Sequence, residues 1–171
     1  MNVIVAVNSD WGIGFGGRQV VVLSEDRKFF KEMTTGGVVI AGRKTFEEFP
    51  GGALPNRKNI ILTRDKSFIA EGITVLHSVD EVLAEVSKED SDKVFVAGGG
   101  AIYEQFLTYC STAYITKLEA APQSDTYFPN LDELENWSKE RELESGESNG
   151  VKYTVCIYKN TSQLERGKHH A

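Results

Sequence analysis

The residues of this chain able to do chemistry are an acid, a few cations and a run of three glycines. Gly98-Gly99-Gly100 sits where the apolar run 94–97 ends and the amphipathic stretch 101–107 begins. Glycines remove every Cβ where free amide N–H groups and the positive end of a helix converge, so a phosphate-bearing ligand can lie against the main chain. The plain alternative is a tight turn. Asp26 shares a helical face with Phe30 and Met33, which points its carboxylate into an apolar wall, and a lone acid there can bind and orient a protonated heterocycle. Alternatively it favours the helix N-terminus electrostatically, as Glu25 beside it does. Arg43 and Lys44 follow one strand-like run, and Thr63 and Arg64 end the next. Three cations at neighbouring strand ends suit an anion, and arginine matches phosphate with paired donors, although each taken singly is also a solvated side chain at a sheet rim. The separate basic turn 54–58, with Arg57, suits a carboxylate on the far end of a substrate. Nucleophilic catalysis finds no support: no nucleophile-elbow pattern occurs, and His77 is the only histidine before the last three residues. No His, Cys or carboxylate cluster has metal-ligand spacing.

The elements that must position these residues follow from periodicity. Apolar runs rich in Val and Ile at 3–7, 37–41, 59–63, 73–76, 93–97 and 113–118 read as strands. Between most of them lie helical patterns. Ser24 precedes an acidic first turn and the face Asp26, Phe29, Phe30 and Met33, which predicts an N-cap at Ser24. Ser78-Val79-Asp80-Glu81 is a capping box opening a helix through Val86, and the glycine run opens another. Such alternation predicts a largely parallel sheet covered on both faces, with ligands outside the carboxyl ends of its strands. The C-terminal part breaks the rhythm: 137–143 and 151–158 alternate around 145–150 and predict an antiparallel hairpin. The long loop 8–22 holds four glycines and two large aromatics; leaving Trp11, Ile13 and Phe15 in water is costly, so the loop reads as a functional lid.

With 171 residues the chain fits one domain, and a net charge of −6 spread along it opposes non-specific nucleic-acid binding while allowing a local basic pocket. No apolar stretch is long enough to span a bilayer, and the N-terminus lacks the basic region of a secretory signal. Cys110 and Cys156 have neither metal spacing nor scaffold density, which predicts free thiols and a cytoplasmic setting. Residues 161–171 form a polar tail outside the expected domain of residues 1–160.

Taken together, six blocks resemble the dihydrofolate reductase family: Trp11-Gly12-Ile13-Gly14; Leu23-x-x-Asp26-x-x-x-Phe30; Val39-x-Ala41-Gly42-Arg43-x-Thr45; Leu54-Pro55-x-Arg57-x-Asn59; Val96-x-Gly98-Gly99-x-x-x-Tyr103; and Asp125-Thr126-x-Phe128-Pro129. Their order and spacing over residues 1 to 160 follow the family's. The resemblance implies an α/β fold, a mostly parallel eight-stranded sheet with four flanking helices and an antiparallel C-terminal hairpin. It implies NADPH as cofactor, reduction of 7,8-dihydrofolate to tetrahydrofolate, antifolate inhibitors as ligands, and a monomer with neither nucleic-acid nor membrane partners. Carried over by position, Asp26 is the pterin-binding carboxylate that favours protonation at N5, and Thr116 is the hydroxyl joined to it. Ile4, Val5, Phe30, Leu54, Ala97 and Tyr103 are implied at the substrate, with Arg57 as the clamp on its glutamate. Ala6, Ile13 and Gly14 are implied at the nicotinamide, while Gly42, Arg43, Lys44, Thr45, Leu62, Thr63 and Arg64 match phosphate and adenosine positions. Gly98-Gly99, a cis peptide in the family, brings Gly100, Ala101, Ile102 and Tyr103 to the pyrophosphate. No metal is implied. One block departs: where the family has Pro-Trp-x before the leucine of the first helix, this chain has Val20-Val21-Val22, and Ser24 replaces a proline just after it. Ala97 is smaller than the usual aliphatic residue. Two rivals share the fold: a sister NADPH-dependent reductase of ribosylated pyrimidines, and a non-catalytic NADPH-binding domain.

Overall fold

The computed structural model describes residues 1–19 and 21–163; the expectations for Val20 and for positions 164–171 of the tail lie outside them. In chain order the elements are β1 (Asn2–Val7), β2 (Gly12–Gly14), α1 (Ser24–Thr34), β3 (Val38–Gly42), α2 (Arg43–Glu47), β4 (Lys58–Leu62), β5 (Ile73–Leu76), α3 (Val79–Val86), β6 (Val94–Gly98), α4 (Gly100–Phe106), β7 (Thr112–Leu118), β8 (Thr126–Tyr127), β9 (Trp137–Ser148) and β10 (Val151–Asn160). Eight strands form one sheet in the order β5-β4-β3-β6-β1-β7-β10-β9, and β2 with β8 forms a two-stranded ribbon. Only β10 runs against its neighbours in the large sheet.

The strand order dictates where the helices lie. From β1 the chain moves outward through α1 to β3 and through α2 to β4, then returns through α3 to β6 and crosses by α4 to β7. Right-handed crossovers travelling in opposite directions place α1 and α2 on one face and α3 and α4 on the other. Packing agrees: Val82, Leu83, Val86, Ile102 and Phe106 share a core with Val3, Val5, Ile40, Val96 and Ile115. On the opposite face Phe46 packs with Ala41 and Ile61, and Phe29 of α1 meets Tyr114 of β7 at 6.4 Å between ring centroids.

Three local expectations need correction. Ser24 is the first helical residue, not the cap: Leu23, buried and extended, takes that position, its carbonyl accepts from Arg27 N at 3.1 Å, and the Ser24 hydroxyl turns to Glu25. The C-terminal strands are longer than expected, because residues 145–148 pair with β10 despite their polarity. The reversal is confined to Asn149 and Gly150, both at positive φ (50° and 79°), the pair that a tight two-residue hairpin favours. Within the long loop, Trp11 stacks on Phe128 and meets the edge of Tyr158, but Phe15 stands 44% exposed, so its apolar surface does not anchor the loop. Ser78 does cap α3, accepting from Glu81 N at 3.1 Å; the Glu81 carboxylate accepts from His77 N, one residue earlier than a capping box requires.

Candidate active site

The sheet is opened at one seam. β1 pairs with β7 along its whole length, from Asn2↔Thr112 to Val7↔Lys117, but with β6 only at Asn2↔Phe95 and Val3↔Val96. Beyond those pairs the two central strands part. Each is otherwise buried, and the single half-exposed residue of each, Ala6 and Ala97, lies past the split. The crossover connections leave β1 and β6 in opposite directions from this seam, which places a cleft at a topological switch point.

One wall of the cleft is the inner face of α1. Asp26, Phe29, Phe30 and Met33 are half-buried there, while Arg27, Lys28, Lys31 and Glu32 face outward. Only Thr34 of this helix is fully buried, so its apolar stripe lines a cavity mouth instead of closing a core. Burial raises the Asp26 carboxyl above its usual range, and the nearby Thr116 hydroxyl works in the opposite direction. Register explains that partner: Thr116 sits opposite Ala6 and is 2% exposed. Tyr103 lies within electrostatic reach of Asp26, its buried phenol is pushed up, and its hydroxyl donates to the Ile4 carbonyl at 2.9 Å. Ile4 and Val5 are both buried, Val5 in the core under α3 and α4.

Arg57 closes the far end of α1. Its Nε donates to the Pro55 carbonyl at 3.0 Å and its Nη1 to Thr34 Oγ1 at 3.1 Å, and partial burial lowers the guanidinium from its ordinary value. Buried Asn59 shapes the preceding turn, accepting from Leu54 N and donating to the Leu54 and Arg57 carbonyls. The Thr34 and Asn59 roles were not expected. A threonine in the last turn of α1 and an asparagine entering β4 carry no periodic signal, although Asn59 belongs to a family block.

The opposite wall is bare backbone. The Gly98–Gly99 peptide is cis, and Gly98 has φ 111°. A Cβ there would meet the Tyr103 ring at 3.0 Å, one at Gly42 would meet Ile102 at 3.0 Å, and one at Gly100 would meet Thr126 at 2.8 Å. At the start of α4 the amides of Ile102 and Tyr103 already turn to the Gly99 carbonyl, which leaves those of Gly100 and Ala101 without intrahelical acceptors. Thr45 Oγ1 approaches Gly99, and Ile13 approaches Gly100. A dinucleotide pyrophosphate fits this surface, because side chains are missing where its oxygens need main-chain donors.

The strand ends beyond form a rim. Gly42, Leu62 and Leu76 lie side by side in register, so Arg43, Thr63 and His77 follow one another across three strands. Leu62 is buried, Lys44 and Arg64 are exposed, and the His77 ring holds the Thr63 carbonyl at 2.8 Å. Arg43 is engaged by Glu47 at 2.7 Å and Asp65 at 2.9 Å.

A strap between β7 and β9 ties down residues 9–16 of the long loop, and the sequence reading missed it. Ser9 N donates to the Ala120 carbonyl, Asp125 N to the Gly14 carbonyl, and Gly16 N to Asp125 Oδ2, all within 2.9–3.0 Å. Ribbons of two or three residues leave no alternation to detect.

A parallel sheet split at its switch point, with Cβ-free main chain on one wall and a half-buried acid on the other, defines a dinucleotide-dependent oxidoreductase of the doubly wound α/β class. The sequence profile described as dihydrofolate reductase matches residues 1–160. Dihydrofolate reductase of Staphylococcus aureus strain Mu50 is 33% identical over 156 residues, 90% of this chain and 94% of the relative, and that of Staphylococcus haemolyticus is 35% identical over 160 residues. The solved dihydrofolate reductase from Enterococcus faecalis, complexed with NADP(H) and RAB-propyl, superposes with a TM-score of 0.82 at 33% identity, covering 93% of this chain and 95% of that one. The chain belongs to the dihydrofolate reductase family.

Proposed function

We propose that the protein reduces 7,8-dihydrofolate to tetrahydrofolate with NADPH, and that Asp26 is its catalytic carboxyl. The observation that carries this reading is Asp26, a half-buried acid on the apolar inner face of α1 with the Thr116 hydroxyl near it. Gly42, Thr45 and Gly98 to Ile102, together with Ala6, Ile13 and Gly14, would hold NADPH, whose chemistry when bound is hydride donation. Asp26 binds the 2-amino and N3 edge of the pterin, oriented by the Thr116 hydroxyl. The negative charge of the Asp26 carboxylate, set among the apolar side chains of α1, favours the N5-protonated acceptor that a hydride at C6 requires. Phe30, Leu54 and Ala97 pack the ring and benzoyl groups. Arg57, held by Thr34 and the Pro55 carbonyl, keeps donors for the glutamate α-carboxylate. A ribosylated pyrimidine has no group for that clamp, which weighs against the sister reductase. The protein's share of catalysis is position and field. Free, buried Cys110 and Cys156 suit a cytoplasmic setting.

The test is loss of reduced-nicotinamide absorbance with and without dihydrofolate. Dihydrofolate-dependent oxidation is expected, reduced on the order of 100-fold or more by Asp26→Asn at neutral pH and partly restored as pH falls. A mutant with ordinary turnover at pH 7 would remove Asp26 from the chemistry, and unchanged oxidation without dihydrofolate would remove the substrate.

A further inference from the structure

Arg43 is already neutralised before any ligand arrives. Its Nε donates to Glu47 Oε1 at 2.7 Å, its Nη1 to Asp65 Oδ2 at 2.9 Å, and its guanidinium carbon lies 4.5 Å over the Phe68 ring. Asp65 is itself fixed: Oδ1 accepts from Ser67 N at 2.9 Å and Ser67 Oγ at 2.6 Å, and Asp65 N donates to Thr63 Oγ1 at 3.2 Å. The carboxylate is therefore built into the turn after β4, at the same rim where Arg43 and Thr63 end adjacent strands. Arg43, Glu47 and Asp65 together carry one net negative charge. Among the described residues of this rim, Lys44, Arg64 and Lys66 are exposed cations outside any ion pair, and of these Lys44 and Arg64 directly follow Arg43 and Thr63 at the strand ends.

We infer that Asp65 is a specificity-determining residue that opposes the 2′-phosphate of the dinucleotide, leaving Arg64 and Lys44 to carry the preference for NADPH over NADH. The inference rests on the reading of this rim as the adenosine end of the cofactor site. A phosphate dianion reaching the free Nη2 edge of Arg43 comes within one ion-pair length of Asp65, and the like charges repel while the Arg43 attraction is already shared. The hydroxyl of NADH meets no such opposition. Both carboxylates are about half exposed, so water screens the effect and limits it to a few-fold.

The experiment measures equilibrium binding by calorimetry on the intact chain, with NADPH, NADH, adenosine 2′,5′-bisphosphate and adenosine 5′-monophosphate as separate probes. Asp65→Asn keeps the side-chain shape and the acceptor for Ser67 and removes the charge. It is expected to tighten NADPH and the bisphosphate by roughly three- to fivefold and to leave NADH and the monophosphate within about twofold. Arg64→Gln should weaken the two phosphorylated probes and spare the others. Weaker NADPH binding by Asp65→Asn would overturn the inference and make Asp65 a residue that aligns Arg43 for phosphate. Equal shifts for all four probes would also overturn it, as would no shift in any. Failure of the underlying reading looks different: the unsubstituted protein would bind neither dinucleotide.

Discussion

Burial raises the Asp26 carboxyl, and a raised acid costs stability once it is charged. For an acid whose folded value lies above its unfolded one, the favourable contribution is complete below the unfolded value and is lost as pH rises through the folded value. Asp26→Asn removes that loss, so it should raise the melting temperature near pH 7 while lowering turnover, and its advantage should shrink towards pH 4. Thermal scans across that range check it; a mutant less stable than the parent by the same amount at every pH contradicts the account. A second residue-scale test concerns Thr34, whose hydroxyl donates to the Phe30 carbonyl at 2.7 Å and accepts from Arg57. Thr34→Val should weaken dihydrofolate binding roughly fivefold, about 1 kcal/mol for one orienting hydrogen bond, with NADPH unaffected and Thr34→Ser restoring the loss. Equal weakening of both ligands would show a general packing defect. Asp26 was legible because the acid and its apolar neighbours recur at helical spacing within nine residues. Thr116 was reached only by resemblance, since its place beside Asp26 depends on β1–β7 register, which no local pattern records.

At the scale of elements, the Cβ-free wall makes a demand that can be moved between two partners. Gly100 approaches Thr126 of the two-stranded ribbon, where a Cβ would meet Cγ2 at 2.8 Å. Gly100→Ala should therefore weaken NADPH binding and cost on the order of 1–3 kcal/mol of stability, and a second change, Thr126→Ser, which deletes Cγ2, should recover much of both. Denaturant titration and dinucleotide binding on the single and double variants decide this; no recovery in the double variant would place the fault in the α4 main chain. Gly98 offers no such rescue, because a Cβ there meets the buried Tyr103 ring at a backbone φ of 111°. Strands β1 and β3 to β7 and helix α3 were read nearly to the residue because each repeats its pattern over four or more positions, whereas the polar end of β9 was not. The start of α1 was displaced because Leu23, not the serine beside it, is fixed by burial. The ribbon and strap escaped because their order comes from backbone bonds between distant segments, Asp125 to Gly14 and Gly16, with no composition to announce them.

On the scale of the whole molecule, the seam divides one sheet into two leaves, β5-β4-β3-β6 and β1-β7-β10-β9, joined directly by two residue pairs between β1 and β6 and spanned by α1 and α4. A ligand bridging the seam braces both leaves, so NADPH at about 100 times its dissociation constant should add roughly 2.7 kcal/mol to stability. A melting temperature indifferent to NADPH concentration would contradict such a bridge. The central place of β1 also sets an order in time. Both neighbours of this first strand, β6 and β7, lie beyond residue 93, whereas β3, β4 and β5 find one another across short stretches of chain. As the chain emerges from synthesis, its first strand must wait, apolar and unpaired, until two-thirds of the sequence has followed, while the strands that come later can already assemble. Pulse-labelled amide exchange during refolding should protect Ile40 and Ile60 before Val3 and Val5; simultaneous protection would mean that the long-range closure comes first. The strand that ends up at the centre of the sheet is thus one of the last to be enclosed, and β1 is the strand most exposed to mispairing while the later ones assemble.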